Sequence, residues 1–321
     1  MTVLDARPTA PGSDPVGVAD AAGQPGGPLA WIRDLRDRLR LLDTRLGEPS
    51  VPVTLTLVLV MLGTDGAWYV GVPTVVLGTM GIVVGSVRTS SRFWLALAAT
   101  VGAAAWANRW STDNHQYLIA YWCLALGLAA SSTDPARVRR ISARLLVGGV
   151  FLLATTWKIL SPDFVDGSFL RYTLLTDQRF TEVATLVGGV DPDDLAANRD
   201  TVAALDDPAT AVGPVRLHST GRLDAAAEAL TWWTLLVEGS VALAFLAPWR
   251  RLGRHRDPLL LTFVVTTYAI APVVGFGWVL ACLGLAQREP TRRGLPLAYL
   301  GAFLLVQVFT APWVSVAGLV P

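Results

Sequence analysis

Apolar residues run along this chain in long blocks, separated by short joints rich in arginine, proline, glycine or aspartate. Blocks at 51–63, 68–87, 92–107, 116–131, 142–160, 229–247 and 295–313 approach the roughly 20 residues that a helix needs to cross a bilayer core of about 30 Å. The first is short and recruits part of the segment before it. Segment 258–286 is too long for one crossing and too short for two ordinary ones. It carries Pro272, Gly275 and Gly277 at its middle, which predicts two short helices or a re-entrant pair turning there. The pattern therefore predicts an all-α, polytopic membrane bundle of about eight transmembrane segments, one of them broken or re-entrant.

The polar stretches organise these blocks. Residues 1–28, rich in Pro, Gly, Ala and Asp, read as a disordered tail without the apolar core of a signal peptide. Residues 29–48 set Leu35, Leu39 and Leu42 at helical spacing among arginines, the pattern of a basic helix lying on a membrane surface or flanking the first span. A first bundle is expected over 49–160 and a second over 229–315. Between them, 161–228 holds twelve Asp and Glu against five Arg. Apolar positions at helical spacing over 170–186 and 192–205, with Asp191-Pro192-Asp193-Asp194 as a helix start, predict a small helical cap.

Charge then sets an orientation. Arg88 and Arg92, the group Arg137, Arg139, Arg140 and Arg144, and the group Arg250, Arg251, Arg254 and Arg256 fall in alternate joints. Arginine excess marks the cytoplasmic side. The expectation is a multi-pass protein of the inner membrane, with its N-terminus cytoplasmic and the acidic cap outside. Composition agrees: 52% of residues are apolar, 16% are charged, and the mean hydropathy is +0.47. Cys123 and Cys282 both lie in apolar blocks and only three histidines occur, too few ligands to predict a metal site. No phosphate-binding or nucleophile motif and no basic-aromatic patch appears, which argues against nucleic acid as a partner. Membrane lipid is the partner expected, and no feature identifies a protein partner.

Ionisable residues inside apolar blocks are costly unless they are paired, so they are the first candidates for chemistry. Glu238 lies in mid-block within Trp232-Trp-Thr-Leu-Leu-Val-Glu238. Lys158 ends the 142–160 block after Thr155, Thr156 and Trp157, and Asp163 and Asp166 follow in a short joint. His115 opens the 116–131 block behind Asp113 and Asn114. Arg109 and Arg171 fall on the same side of the membrane as Lys158. The expectation is that Lys158, His115 and Glu238 act as acids and bases, while Arg109, Asp113, Asn114, Trp157, Asp163 and Arg171 line a polar cavity open to the outer face.

Three features occur in order: Asn114-His115 opening a span, Lys158 ending one before Asp163-Phe164-Val165-Asp166-Gly167, and a span that carries Glu238. In this the chain resembles the HTTM family, the membrane domain related to vitamin K-dependent gamma-carboxylase. Lys158 stands five residues before Asp163, one more than the spacing usual in that family. The resemblance implies a membrane enzyme or quinone-binding protein in which Lys158 is the base that deprotonates a reduced quinone. With 321 residues it implies the membrane domain alone, without peptide carboxylation. On the residues alone, a transporter or channel lined by Glu238 and the broken segment, or a non-catalytic membrane partner, stands as an alternative.

Overall fold

The computed structural model of the chain describes residues 30–63, 68–110, 112–205, 215–271, 274–289 and 292–310. The expected tail over 1–28, and Pro272 at the expected turn, lie outside them. Every regular element among the described residues is helical. Ala30–Leu39, the start of the first helix, belongs to a unit of its own. It is solvent-facing, with Arg38 bonded to Asp34 at 2.8 Å and Trp31, Leu35 and Leu39 exposed.

The larger unit begins at Arg40. The end of α1 (Ala30–Leu46) is followed by α2 (Ser50–Leu62), α3 (Trp68–Val83), α4 (Ser91–Ala107), α5 (Asn114–Ala130) and α6 (Pro135–Leu160). Then come the short α7 (Pro162–Val165), α8 (Ser168–Thr176) and α9 (Pro192–Leu205), the long α10 (Gly221–Leu246), α11 (Arg250–Gly253), α12 (Arg256–Tyr268), α13 (Val274–Gln287) and α14 (Leu295–Thr310). The two longest helices begin on designed caps. Asp134 accepts the Arg137 N–H at 3.0 Å ahead of Pro135, and Thr220 accepts the Leu223 N–H at 3.1 Å. Each satisfies a backbone donor that the first helical turn cannot pair.

Two apolar cores result. The main one joins α2, α4, α5, α6, α10, α12, α13 and α14 around Leu57, Trp122, Phe151, Phe245 and Leu280. A second forms over 161–228 from Leu174, Leu175, Phe180, Ala184, Val190 and Leu195, and it takes Leu223 and Ala227 from α10. The described parts of segment 161–228 are therefore packed. Asn198, itself buried, holds the returning chain by donating to the His218 carbonyl at 2.9 Å and accepting its N–H at 2.7 Å. Helix α9 matches the expected 192–205, whereas the expected 170–186 helix is divided into α8, a 3₁₀ turn and a π turn.

Joints that are far apart in sequence meet at one end of the main bundle. Arg139 donates to the Pro49 carbonyl at 3.4 Å, Arg288 to that of Gly47 at 2.5 Å, and Arg88 to the Thr54 hydroxyl at 3.1 Å. Arg256 donates to the Ala244 carbonyl at 2.9 Å, and Asp43 accepts the Gly294 N–H at 2.9 Å. The other end carries Lys158, His115 and the second core, which Ile270 and Ala271 reach from between α12 and α13. Segment 258–286 thus goes up as α12 and returns as α13. Gly275 and Gly277 lie inside α13 rather than at the turn, where they let His115 and the Tyr268 ring pack against the backbone.

By length and composition, Pro135–Leu160 and Gly221–Leu246 can each cross a membrane, and a third span exists if the bent pair Ala30–Leu46 and Ser50–Leu62 is one broken crossing. Length alone does not yield the eight segments expected. Trp68–Val83, Gly275–Gln287 and Leu295–Val308 are apolar but shorter. At 1.5 Å per residue a 16-residue helix reaches only about 24 Å.

Candidate functional site

Helices α6 and α10 run antiparallel in close contact, because small residues let their backbones approach. A Cβ on Gly148 would stand 2.6 Å from Leu246 Cγ, too close to fit, while Gly239 faces Thr155, where a Cβ would make only an ordinary 3.6 Å contact with Cγ2. Continuing that register toward the end of α6 brings Lys158 opposite Glu238. The Lys158 ammonium donates to Glu238 Oε1 in a direct ion pair. The carboxylate is buried, its side chain 8% exposed, while the lysine side chain keeps 24%. Lys158 Nζ also lies 5.4 Å over the ring of Phe164, itself buried.

The pair is only partly saturated. Glu238 Oε2 and Thr155 Oγ1 are both buried without a hydrogen-bond partner. Thr155 precedes Lys158 by three residues, so both occupy one face of α6. A buried carboxylate oxygen and a buried hydroxyl without partners are uncommon in native proteins, and each group calls for an occupant. This arrangement can hold a proton between lysine and glutamate, and can accept a hydrogen bond from a further hydroxyl.

The depth of Glu238 differs from the expectation. It lies level with the last turn of α6 instead of at mid-bundle. The reason is that α10 begins eight residues before the expected 229 and spends its first turns in the second core, where Leu223 and Ala227 are buried.

The Asp163 to Gly167 stretch proves to be a turn that delivers Phe164. Asp166 accepts the Ser168 N–H at 2.8 Å and its hydroxyl at 2.6 Å, and Gly167 takes a left-handed φ of 79°. These bonds hold the exposed Asp166 carboxyl below the usual carboxylate range. The Asp163 carbonyl accepts the Ser168 hydroxyl at 3.1 Å, and its side chain is not part of the ion pair.

The remaining candidates are dispersed. His115 is a half-buried ring packed on Gly275 of α13, with Nδ1 3.8 Å from an Asp113 carboxylate oxygen. Asp113 occupies the N-cap position of α5 but gives no side-chain capping bond. Asn114 follows it, exposed. Arg109 stacks on Trp106 and Trp110 at 5.6 and 5.1 Å. Trp157 is 77% exposed on the outside of α6. Arg171 lies 3.7 Å from Asp224 in a shallow cleft lined by Tyr172 and Arg216. One shared cavity for all nine is therefore not formed, and the centre reduces to Lys158, Glu238, Thr155 and Phe164.

A second buried polar cluster, at the arginine-rich end, escaped the sequence reading. Asp257, 4% exposed, accepts from Gln287 Nε2 at 2.5 Å, from the Tyr299 hydroxyl at 2.9 Å and from Arg292 Nη1 at 3.1 Å. It ties α12, α13 and α14 together, and all three donors are in place. Its saturation suits a structural clamp, whereas the Lys158 centre has open valences. In sequence Asp257 reads as one more charge beside Arg254 and Arg256. No family model, no curated protein and no solved structure matches this chain.

Proposed function

We propose that the chain is a multi-pass membrane protein of the HTTM kind, and that Lys158 and Glu238 are its proton-exchanging pair, serving a lipid-like substrate with an acidic hydroxyl such as a reduced quinone. The observation that carries this reading is the buried Lys158–Glu238 contact with Glu238 Oε2 and Thr155 Oγ1 left unpartnered beside it. Embedding is supported by the outer surface of the bundle. Val76, Leu128, Leu153, Leu243 and Leu304, on five different helices, are each more than half exposed. Exposed large apolar side chains recur along these helices, which suits a lipid-facing surface. On the arginine-excess rule, the arginine-rich end faces the cytoplasm and the cap lies outside the inner membrane.

In the resting pair the lysine carries the proton and the glutamate accepts its hydrogen bond. Transfer of that proton to Glu238 leaves a neutral amine, which then takes the hydroxyl proton of the substrate and becomes ammonium again, beside the anion it has made. The low-dielectric surroundings favour such neutral exchange over separated charges. Phe164 covers the lysine, and Thr155 is placed to bond the substrate oxygen.

The test is gentle purification followed by mass spectrometry of the retained lipids and quinones. After chemical reduction, the absorbance of the quinol anion is then read on the protein. Enrichment of a hydroxyl-bearing isoprenoid lipid, with anion formation lost in Lys158→Met and in Glu238→Gln, is the expected result. A folded protein with no such enrichment, or variants that form the anion as readily as the wild type, would overturn the reading.

A further inference from the structure

At the arginine-rich end, Arg139 and Arg140 from the start of α6 and Arg288 from the end of α13 line a cleft floored by Pro52 and Trp122. All three arginines are half-buried. Arg139 and Arg288 donate to backbone carbonyls, those of Pro49, Gly47 and Arg292. None of the three forms an ion pair with a carboxylate among the described residues. The one carboxylate lining the cleft, Glu48, is exposed and takes a long 3.5 Å bond from Ser50. Three guanidinium groups thus share one cleft with a single carboxylate, an excess of positive charge that an anion would relieve.

Next to this cleft runs a groove of the opposite character. It lies between α2, α13 and α14, is lined by Leu55, Trp278, Cys282, Leu300 and Phe303, and is almost wholly apolar. Leu46 and Leu285 line both spaces, so cleft and groove adjoin. Along α13 the groove runs from Leu285 back to Trp278, about 10 Å at the helical rise. A free phosphate or other small anion would use the cleft and leave the groove empty. A wholly apolar guest would use the groove and leave the arginines unpaired.

We propose that this end carries a binding site for an anionic phospholipid, with the phosphate of its head group held by Arg139, Arg140 and Arg288 and one acyl chain lying in the groove between α2, α13 and α14. The inference rests on the membrane reading above and is independent of the chemistry at Lys158. Its occupant is fixed by the juxtaposition of charge and apolar length, which neither space would specify alone.

The test uses the full-length protein in detergent, with phosphatidylglycerol, phosphatidylcholine and glycerol phosphate as probes, and native mass spectrometry as the readout. Extraction of the expressed protein from membranes with alkaline carbonate checks embedding separately. Retention of phosphatidylglycerol over phosphatidylcholine at equal concentration is expected, with affinity reduced about tenfold in Arg139→Gln/Arg140→Gln. Arg288 is left intact because it braces Gly47. A second variant, Leu300→Trp, fills the groove and is expected to weaken long-chain lipid while sparing the arginines. Equal retention of the two lipids, or retention unchanged in both variants, overturns the proposal. Glycerol phosphate displacing the lipid at equal concentration also overturns it, in favour of a soluble-anion site. A protein that washes out with carbonate refutes embedding instead.

Discussion

Replacing Lys158 by methionine keeps most of the side-chain length and removes the charge, so it isolates what the ion pair contributes. Glu238 is then left with both carboxylate oxygens unpartnered in a side chain only 8% exposed. Removing one partner of a buried pair typically costs about 3–5 kcal/mol, and the partial exposure of the lysine places this case near about 3 kcal/mol. The reciprocal Glu238→Met is milder, at about 1–2 kcal/mol, because the partly exposed lysine can turn to the surface and keeps the Phe164 face. The double variant Lys158→Met/Glu238→Met buries no unpaired charge, so it is expected within about 1 kcal/mol of the wild type. The coupling between the two positions, the two single costs less that of the double variant, is therefore about 4 kcal/mol. Polar contacts between membrane helices average only about 0.6 kcal/mol when measured, because the unfolded chain in the membrane also finds partners. Unfolding by SDS in mixed micelles, followed by tryptophan fluorescence, measures all four proteins. Additivity within about 0.5 kcal/mol would refute the reasoning, since it would mean that the two charges do not sense each other in the folded state.

Three further outcomes follow from other parts of the molecule. Tyr299→Phe removes one of three donors to Asp257 and is expected to lower stability by about 1–3 kcal/mol, read by thermal melting in detergent; a neutral effect would mean that the clamp is not formed. Gly275→Ala places a methyl group against the His115 ring, with an expected cost of about 1–3 kcal/mol and a shift of the His115 imidazole resonances; unchanged resonances would contradict that packing. In the cap, Arg179 bonds Asp177 through two nitrogens, at 3.0 and 2.5 Å, and this holds the Asp177 carboxyl below its ordinary value. A depressed folded value means that the contact stabilises the cap above the unfolded carboxylate pKa of about 3.9 and is lost as pH falls through the lower folded value. Carboxyl NMR should show Asp177 titrating below exposed aspartates and moving up in Arg179→Gln; no movement would refute the assignment.

Much of the helical layout was legible because apolar blocks and capping residues are local properties. The 92–107 block is α4 within one residue, and α9 begins at Pro192 where Asp191 and the following acids announce a helix start. What escaped depends on register between helices. Glu238 and Lys158 each stood out as charges among apolar residues, but their pairing follows from the register of α6 against α10, in which Gly148 lets Leu246 pack close. Glu238 looked central because hydropathy cannot tell that α10 serves two cores in succession. His115, Arg109 and Arg171 were expected on one side of the membrane, yet side chains on separate helices do not converge merely by sharing an end. Asp257 was invisible because its partners lie 30, 35 and 42 residues away.

That cluster also bears on how the chain is made. Asp257 leaves the ribosome well before Gln287, Arg292 and Tyr299, the three residues that later enclose it. Until they arrive, its carboxylate has none of those donors, and α12 has a reason to keep its first turn in water. The last three helices are thus committed together, with the arrival of Tyr299 as the closing event. A chain that stops short of α14 would leave the Asp257 carboxylate without the Tyr299 hydroxyl that completes its shell.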